Sequence, residues 1–382
     1  MRILVTSTPG TGHLHPIVPL AQELRSAGHD IVWATSQGSC AVVESFGFRA
    51  VPAGLNLGVR NATFHERTAH MLGLPPRERR AVALPVMFGE IAAPVMRDDL
   101  IAVFDDVRPQ LVVHEFAELA AAPLAAARGI PHVTIAFSGA ISDALQAGVL
   151  ESVTPVWERE GLTPTALDFN GDLLLHPFPV SMDTPRPDGP SAPMRPLSYD
   201  GATSAAPPEW IASFGADRPG VYVTFGTEIA PLAPWAAILD ALADLDIDVV
   251  ATVGGQLDPT TLGPTPRNTR VERYVPQRFL LDQAKVIVSH AGAGTLIGAA
   301  SAGRVHLSLP ISADQWDNAD LLSALNAGIT LETDQRDAEM IRRSVERLLT
   351  DPTMHSAAET IKTDFADMPH PRELVVAIDQ LT

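Results

Sequence analysis

The sequence predicts an α/β protein made of two units, each with a parallel sheet covered by helices. Three observations support this prediction: short β-rich runs alternate with amphipathic segments, the alternation stops at a proline-rich stretch, and it then starts again. Strand–helix alternation is typical of a parallel sheet with both faces covered. The length of 382 residues fits two or three domains, at roughly 150 residues per domain.

Short strands separated by helices define the N-terminal half. Apolar residues recur with helical spacing after Pro16, so a helix opened by that proline and stopped at Gly28 is predicted. An alanine-rich helix is predicted over Glu118–Arg128. The predicted strands are Ile3–Thr6, Asp30–Ala34, Leu111–His114 and His132–Ala136.

A proline-rich stretch from about residue 176 to 219 separates the two halves and reads as a semi-rigid linker. We therefore expect a first domain over 1–200, which includes most of this linker, and a second over 220–382. A helix is predicted over Pro234–Leu245 of the second domain. Its predicted strands are Val221–Phe225, Asp248–Val253, Val286–Ser289, Val305–Leu309 and Ile329–Leu331.

Composition excludes several classes of function. With 27 basic and 45 acidic residues the net charge is −18, which disfavours nucleic acid and anionic membranes as partners. The single cysteine, Cys40, excludes an intrachain disulfide and a cysteine zinc site. No apolar stretch is long enough to span a bilayer, and the first apolar run is too short for a signal peptide. We expect a cytoplasmic protein without stable membrane insertion.

The loop TPGTGHLHP, residues 8–16, follows the first predicted strand. Ligands bind to loops at this edge of open α/β sheets. The loop lacks the third glycine of a dinucleotide fingerprint, so a nicotinamide enzyme is disfavoured. A dipole at the start of the next helix would favour neutral His13, which suits a general base. A loop histidine that merely binds backbone groups is an equally good interpretation.

Two further motifs follow predicted strands of the second half. In SHAGAGT, residues 289–295, small residues and the amides of a helix start could hold a diphosphate; a packing turn is the alternative. In LPISADQWDN, Asp314 and Gln315 could bind sugar hydroxyls, or Asp314 could simply cap a helix. The run Asp244, Asp246, Asp248 lies at the wrong sheet edge for a ligand, so a metal site there is disfavoured.

Taken together, the motifs resemble those of the family-1 glycosyltransferases of the GT-B fold, especially bacterial enzymes that decorate natural products. The resemblance covers essentially the whole chain and rests on several motifs in the right order. These are GHLHPIVPLAQELRSAGHDI at 12–31, VYVTFGT at 221–227, and then YVPQRFLL, SHAGAGT, LPISADQWDNA and NAG between 274 and 328. It implies two Rossmann-like domains facing each other across a cleft, with the last helix returning to the first domain.

The resemblance also implies a role for each matching residue. His13 corresponds to the catalytic base, and Glu115, with Glu118 in reserve, to the acid that orients it. The donor-binding residues implied are Gly12, Gly226, Thr227, Tyr274, Val275, Gln277, His290, Gly292, Gly294, Thr295, Asp314 and Gln315. The acceptor is expected on N-terminal loops, with candidate contacts at Phe88, Phe116, Phe137 and Trp157.

Two positions depart from the family pattern. Members that use UDP-sugars commonly carry a ribose-binding glutamate where this chain has Gly298, which favours a dTDP-linked donor, in particular a deoxysugar. The chain also reads Arg304-Val305-His306 where Gly-x-Pro-Gln is common, which bears on whether the loop supports full activity.

The resemblance therefore implies an inverting, metal-independent transfer from a dTDP-sugar to a small hydrophobic acceptor, without a cofactor. The alternatives are a UDP-sugar transferase of the same family and an inactive auxiliary protein that binds a partner transferase. The sequence leaves open the acceptor, the linkage and the oligomeric state, a homodimer included.

Overall fold

The computed structural model divides the chain into two compact units. The first comprises Met1–Phe178, Asp183–Ala202 and Met368–Thr382, and the second Pro179–Met182 and Thr203–Asp367. The structure describes residues 1–71, 73–75, 81–139, 141–165, 168, 170–182, 189–197, 206–226 and 229–382.

The first unit contains a seven-stranded parallel sheet with the order β3-β2-β1-β4-β5-β6-β7. The strands are β1 Arg2–Thr6, β2 Asp30–Thr35, β3 Arg49–Pro52, β4 Leu111–Glu115, β5 His132–Ile135, β6 Leu173–His176 and β7 Ser191–Pro193. Successive residues of β1 pack on opposite faces: Ile3 and Val5 enter one core, and Leu4 enters another. This alternation buries both faces of the sheet.

Helices cover both faces of this sheet. They are α1 Thr11–Leu14, α2 Val18–Ser26, α3 Cys40–Ser45, α4 Leu57–Thr68, α5 Ala93–Val107, α6 Ala121–Ala126 and α7 Asp143–Glu158. A π-helical segment, Pro85–Ala92, leads directly into α5. Leu20 and Leu24 of α2 pack on the side of Ile3, whereas Leu100 and Phe104 of α5 pack on the side of Leu4.

The second unit contains a six-stranded parallel sheet with the order β10-β9-β8-β11-β12-β13. The strands are β8 Gly220–Thr224, β9 Asp248–Thr252, β10 Thr269–Glu272, β11 Ala284–Ser289, β12 Val305–Ser308 and β13 Gly328–Thr330. The helices are α8 Trp235–Leu242, α9 Gln277–Leu281, α10 Ala293–Ser301, α11 Gln315–Ala324, α12 Ala338–Thr350 and α13 Pro352–Ala366. Single 3₁₀ turns occur at Gln37–Ser39, Ala69–Met71, Val180–Met182, Glu209–Ser213, Ala230–Leu232, Pro259–Leu262 and Thr333–Gln335.

The last helix, α14 Pro371–Asp379, belongs to the first unit. Its residues Leu374 and Ile378 are buried in the core that also contains α2. Asp379 lies 3.1 Å from His29 at the end of the turn after α2. The chain therefore starts in the first unit, builds the second, and ends in the first.

The structure differs from the predicted elements at three places. The helix predicted from Pro16 is two helices, α1 and α2, separated by a turn that contains this proline. The helix predicted over Glu118–Arg128 begins only at Ala121, because the Glu118 side chain bonds the Thr6 hydroxyl and the Ala120 amide in the loop before it.

The proline-rich stretch is only partly a linker. Among its described residues, Ser191–Pro193 form the edge strand β7, so part of the stretch extends the first sheet. Edge strands tolerate proline because one side of the strand needs no hydrogen-bonded neighbour. Residues 183–188 and 198–205, which the linker prediction also covers, lie outside the described residues.

No helix in the described part of the chain is both long and apolar enough to cross a membrane.

Candidate active site

In both units the order of the strands reverses beside the first strand, at β1 in one sheet and β8 in the other. Loops at the carboxyl ends of strands beside such a reversal form the ligand crevice of open α/β sheets. In the first unit these loops follow β1 and β4, and in the second they follow β8 and β11. His13, Glu115, Gly226 and the SHAGAGT turn lie on these four loops, whereas Asp314 and Gln315 follow β12 and the segment 274–277 follows β10.

The first unit brings His13 and Glu115 together. β1 pairs with β4 so that Thr6 lies opposite His114, which places Glu115 beside the loop after β1. The Nδ1 atom of His13 lies 3.2 Å from Oε1 of Glu115. Glu115 is buried, with 1% of its side chain exposed, whereas 17% of the His13 side chain is accessible. The pair therefore has a buried carboxylate and an imidazole that solvent can reach.

Three hydrogen bonds fix the Glu115 carboxylate. The Thr8 amide and hydroxyl donate to Oε1 at 3.1 and 2.7 Å, and the Ala117 amide donates to Oε2 at 2.6 Å. Burial alone would raise the pKa of this carboxyl, but the charge and hydrogen bond of His13, with these donors, hold that pKa below its usual value. Glu115 is therefore ionised at neutral pH and its geometry is set before any ligand binds.

His13 lies in α1, a single turn of helix that begins at Thr11. Its imidazole faces the buried carboxylate of Glu115. Gly12 lies beside His13, and no protein atom comes within 4 Å of the place where a Cβ on Gly12 would stand.

Aromatic rings flank His13. The ring of Phe137 lies edge-on at 4.9 Å between centroids, and that of Phe88 is tilted at 5.4 Å. The buried guanidinium of Arg60 lies over the ring of Phe88, 4.9 Å from its centroid. The sequence offered no signal for Arg60, because only the fold brings α4 against the π-helical segment.

Two pockets open near this pair. One is lined by Thr8, Arg60, Phe88 and Glu118 among mainly apolar side chains. The other is lined by the remaining predicted acceptor residues, Phe116 and Trp157, and again by Glu118. The four aromatic side chains predicted to contact an acceptor thus lie in two places: beside His13 and around the second pocket.

Glu118 lies on both pockets and does not orient His13. Its carboxyl accepts hydrogen bonds from the Thr6 hydroxyl and, at 2.9 Å, from the Ala120 amide. Burial raises the pKa of Glu118 to about 7, despite these two donors. Of the two glutamates that the sequence offered as partners of His13, Glu115 is the one that contacts it.

Two stacked histidines, His114 of β4 and His132 of β5, are buried close to Glu115. Nε2 of His114 lies 3.0 Å from Nδ1 of His132, and the two ring centroids are 5.3 Å apart. Burial, with the neighbouring His132, lowers the pKa of His114 to about 3. Both rings are neutral and fill the interior without charge.

In the second unit, the SHAGAGT motif forms the turn between β11 and α10. Gly292 is the N-cap, so the amides of Gly294 and Thr295 lie in the first helical turn, where they have no partner within the helix. No protein atom lies within 4 Å of a Cβ built on Gly294. Ala291 adopts a left-handed conformation with φ of 60°, which non-glycine residues rarely do.

The ring of His290 is packed into this turn. It stacks against Phe225 at 6.1 Å, and a Cβ on Gly292 would lie only 2.3 Å from its Nε2. Gly226, with φ of 68°, lies on its other side, where a Cβ would stand 3.3 Å from Cε1. Burial lowers the pKa of His290 to about 4, so the ring is neutral at neutral pH.

Asp314 and Gln315 lie at the start of α11, after β12. Asp314 is the N-cap residue, but its side chain makes no capping bond; its Oδ2 accepts from Asn318 Nδ2 at 2.8 Å. The simple capping interpretation of Asp314 is therefore wrong. The side-chain oxygen of Gln315 accepts from the Ile311 and Ser312 amides at 2.8 and 2.9 Å and so shapes the preceding loop.

The segment from Tyr274 to Gln277 leads into α9. Tyr274 is 59% exposed, whereas Val275 is buried in the core of the second unit. The Gln277 side chain packs against Gly298 of α10, where a Cβ would lie 2.4 Å from its Nε2. Any side chain at 298 would therefore displace Gln277.

The segment Arg304–His306, which departs from the family pattern, makes hydrogen bonds that hold neighbouring loops of the second unit. Arg304 donates to the carbonyls of Leu281 and Asp282 at 2.8 and 3.1 Å, at the end of α9. His306 Nε2 lies 2.8 Å from Ser289 Oγ, and that oxygen accepts from the Ala291 amide at 2.9 Å. The segment that departs from the family pattern thus supports the turn before α10.

Two groups of predicted residues remain. Thr227 lies outside the described residues. Of the aspartates in the 244–248 run, Asp248 pairs with Arg218 and Asp244 lies 3.8 Å from Arg342. In the described ranges, no group of three or more His, Cys, Asp or Glu residues is placed to hold a metal ion.

Comparison with known families gives two matches that together span most of the chain. The family described as Erythromycin biosynthesis protein CIII-like, N-terminal domain, matches residues 22–226. The corresponding C-terminal domain matches residues 236–381.

Individual relatives match over nearly the full length. L-demethylnoviosyl transferase of Streptomyces niveus is 32% identical, with 97% of this chain and 96% of the relative covered. Among solved structures, the glycosyltransferase SnogD from Streptomyces nogalater is 30% identical with a TM-score of 0.81, and both chains are covered completely. The glycosyltransferase VinC, solved in complex with dTDP, is 25% identical with a TM-score of 0.80, covering 100% of this chain and 99% of that one.

Proposed function

Because the chain belongs to the erythromycin biosynthesis protein CIII-like family and is a glycosyltransferase, we propose that it transfers a deoxysugar from a dTDP-linked donor to a hydrophobic natural-product acceptor. VinC, which was solved with dTDP, supports the choice of nucleotide. L-demethylnoviosyl transferase, by its name, supports transfer of a sugar residue.

The observation that carries the mechanism is the contact between His13 and the buried, ionised Glu115. His13 removes a proton from the acceptor group as the acceptor attacks C1 of the sugar. The bond from C1 to the diphosphate oxygen breaks, dTDP leaves, and the configuration at C1 inverts. The proton stays on His13, where the negative charge of Glu115 stabilises it.

Donor binding is assigned to the second unit. The amides of Gly294 and Thr295 at the start of α10 offer donors to a diphosphate without a metal ion, since the partial positive charge of a helix N-terminus favours anions. The space above Gly294 leaves room for a phosphate group. Asp314 and Gln315 bind the sugar hydroxyls. A chelator such as EDTA should therefore leave turnover unchanged.

The choice of dTDP over UDP rests on Gly298. With Gln277 packed against this glycine, the wall of α10 presents an amide rather than a carboxylate. The absence of a carboxylate suits a deoxyribose, which has no 2′-hydroxyl to bind.

The acceptor is assigned to the first unit, beside His13. Phe88 and Phe137 flank the imidazole and offer an apolar wall to a hydrophobic aglycone. Phe116 and Trp157 extend this surface at the second pocket. The proton of the acceptor group would then be delivered directly to the base.

Substitution of His13 tests the mechanism. His13→Ala should lower turnover on the order of 10²- to 10⁴-fold, as expected for loss of a general base, while dTDP affinity stays the same. The matched control is His15→Ala, two residues along the same loop, whose ring packs on Phe46 at 5.8 Å between centroids. Undiminished turnover in His13→Ala would remove His13 from the reaction.

Thermal melting with dTDP, UDP and NAD in parallel tests the choice of donor. A ligand at 100 times its dissociation constant stabilises the folded state by about 2.7 kcal/mol, and we expect this shift with dTDP above UDP and none with NAD. A larger shift with UDP would overturn the Gly298 argument and indicate the UDP-sugar alternative. No shift with any nucleotide would favour the auxiliary-protein alternative.

A further inference from the structure

Asn318 joins the two loops to which donor binding is assigned. It lies in the first turn of α11 and is 2% exposed. Its Nδ2 donates to the Ala291 carbonyl at 3.0 Å and to Asp314 Oδ2 at 2.8 Å. One buried amide thus bonds both the turn before α10 and the carboxylate after β12.

The chemistry of the partners fixes the orientation of this amide. A carbonyl and an ionised carboxylate only accept hydrogen bonds, so the nitrogen of Asn318, with its two hydrogens, must face them. Serine offers one donor and aspartate none, so neither side chain could donate both of these hydrogen bonds.

Both ends of this bridge lie at strained backbone. Ala291 has φ of 60°, and Ala313, just before Asp314, has φ of 56°. A left-handed conformation costs a non-glycine residue about 1–2 kcal/mol. It persists only where surrounding contacts enforce it, and such residues cluster at ligand sites. Asn318 supplies one of these contacts at Ala291, and the Ser289 hydroxyl supplies another by accepting from the Ala291 amide at 2.9 Å.

We infer that Asn318 is a positioning residue that holds the diphosphate-binding turn and the sugar-binding Asp314 in one fixed arrangement, an inference that rests on the proposed function. We assign it no contact with the substrate. It orients the Ala291 peptide, and with it the first amides of α10, and it holds the Asp314 carboxylate beside this turn.

Titration calorimetry with dTDP as the probe tests the inference. Asn318→Ala removes both donors, and we expect the dissociation constant for dTDP to rise about fivefold to tenfold, as for the loss of one hydrogen bond. Asn318→Asp keeps the shape, removes both donors and adds a charge beside Asp314, so its loss should exceed that of Asn318→Ala. Each variant is titrated well below its own melting temperature, measured by circular dichroism, so that the dissociation constants are those of the folded protein.

Asn268 is the matched control. Its Nδ2 also donates to two carbonyls of the same unit, those of Leu242 and Leu245 at 2.8 and 3.2 Å, but before β10 at the opposite edge of the sheet. Asn268→Ala should lower the melting temperature and leave the dTDP dissociation constant within about twofold. A merely structural role for Asn318 predicts the same behaviour for both asparagines, so equal dTDP affinities in the two alanine variants would overturn the inference.

A double-mutant cycle tests the link to Asp314, with dTDP-glucose as the probe. Asp314→Ala should reduce affinity less in the Asn318→Ala background than in the unchanged chain; an equal reduction in both would overturn the coupling. If the unchanged chain binds dTDP and only the Asn318 effects are missing, this inference fails alone. If the unchanged chain binds no nucleotide, the proposed function fails and this inference with it.

Discussion

Glu118 gives the free energy of unfolding a pH dependence that one substitution should remove. Burial raises the pKa of this carboxyl in the folded protein to about 7, from an ordinary value of 4.5. Below about pH 4.5 the carboxyl is protonated in both states and folding carries no penalty. Between about pH 4.5 and pH 7 the unfolded chain is ionised while the folded protein keeps the proton, so stability is lost across this range and the loss is complete once the folded carboxyl ionises above about pH 7.

The size of the loss follows from the two pKa values. At about 1.4 kcal/mol for each pH unit between them, Glu118 should cost the folded protein about 3 kcal/mol above pH 8. Glu118→Gln keeps the shape and can still accept from the Ala120 amide and donate to the Thr6 hydroxyl, but it never ionises. The variant should match the unchanged protein at about pH 4 and exceed its stability by about 3 kcal/mol at about pH 8.5.

Urea unfolding followed by circular dichroism at these two pH values measures the difference. The comparison must be between the two proteins, because buried neutral histidines such as His114 and His306 change stability in the opposite direction over the same range. Glu66→Gln, at an exposed glutamate, is the matched control and should change nothing. If Glu118→Gln and the unchanged protein lose the same stability between the two pH values, the reasoning from burial is refuted.

Four further substitutions test the site and the fold. Glu115→Gln should lower turnover on the order of 10²- to 10⁴-fold by leaving the catalytic imidazolium without a charge partner, and calorimetry should find dTDP affinity unchanged; a parallel loss of affinity would contradict this. Gly298→Ala places a methyl group 2.4 Å from Nε2 of Gln277, the end of a flexible side chain that can turn aside. We therefore expect dTDP titrations to show a loss of about 1 kcal/mol, that of one hydrogen bond from Gln277, and unaltered binding would count against a contact between Gln277 and the nucleotide. Gly171→Ala, with φ of 65° and a Cβ 2.5 Å from the His132 carbonyl, should destabilise by about 2 kcal/mol or more in thermal melts. Gly129→Ala is the control, because Gly129 has a similar φ of 63° but open space around it; it should lower the free energy of unfolding by only about 1 kcal/mol. Equal losses at the two glycines would show that the contact with the His132 carbonyl contributes nothing.

The central strands other than β6, the fold and the enzyme class could be predicted because their signals are local or repeated. Central parallel strands are buried on both faces and read as continuous apolar runs, as in Val286–Ser289 and Leu111–His114. The GT-B fold, the glycosyltransferase family and the enzyme class predicted from the ordered motifs are confirmed.

Three of the four edge strands, β3, β7 and β10, escaped prediction for a physical reason, whereas β13 was predicted as Ile329–Leu331. β3 and β7 each end in proline, and β10 reads TRVE with two charged residues. A strand at the edge of a sheet needs hydrogen bonds on one side only and is partly open to water, so proline and charge are tolerated there. Such segments lack the apolar run that identifies a central strand.

Side chains whose role depends on distant partners also escaped prediction. Asn318 stands 27 residues from Ala291, and His306 stands 17 residues from Ser289, and no spacing in the sequence links them. His13 was indicated by its place in the loop after a predicted strand, and Glu115 by the family resemblance, which implies an acid after a strand in the middle of the first domain. Whether Glu115 or Glu118 contacts His13 depended on the Thr6 and Thr8 bonds, which only the structure supplies.

The return of α14 to the first unit dictates how this chain can be recombined with its relatives. Apart from Pro179–Met182, the second unit is one continuous stretch, residues 203–367, with the first unit's own sequence on either side of it. A hybrid that joins the N-terminal half of one enzyme to everything after the linker of another would pair a foreign α14 with the native α2. Leu374 and Ile378 would then have to fit a core that did not evolve with them. Donor-exchange chimeras should therefore be spliced at two junctions, near residues 203 and 367, so that α14 stays with its own core.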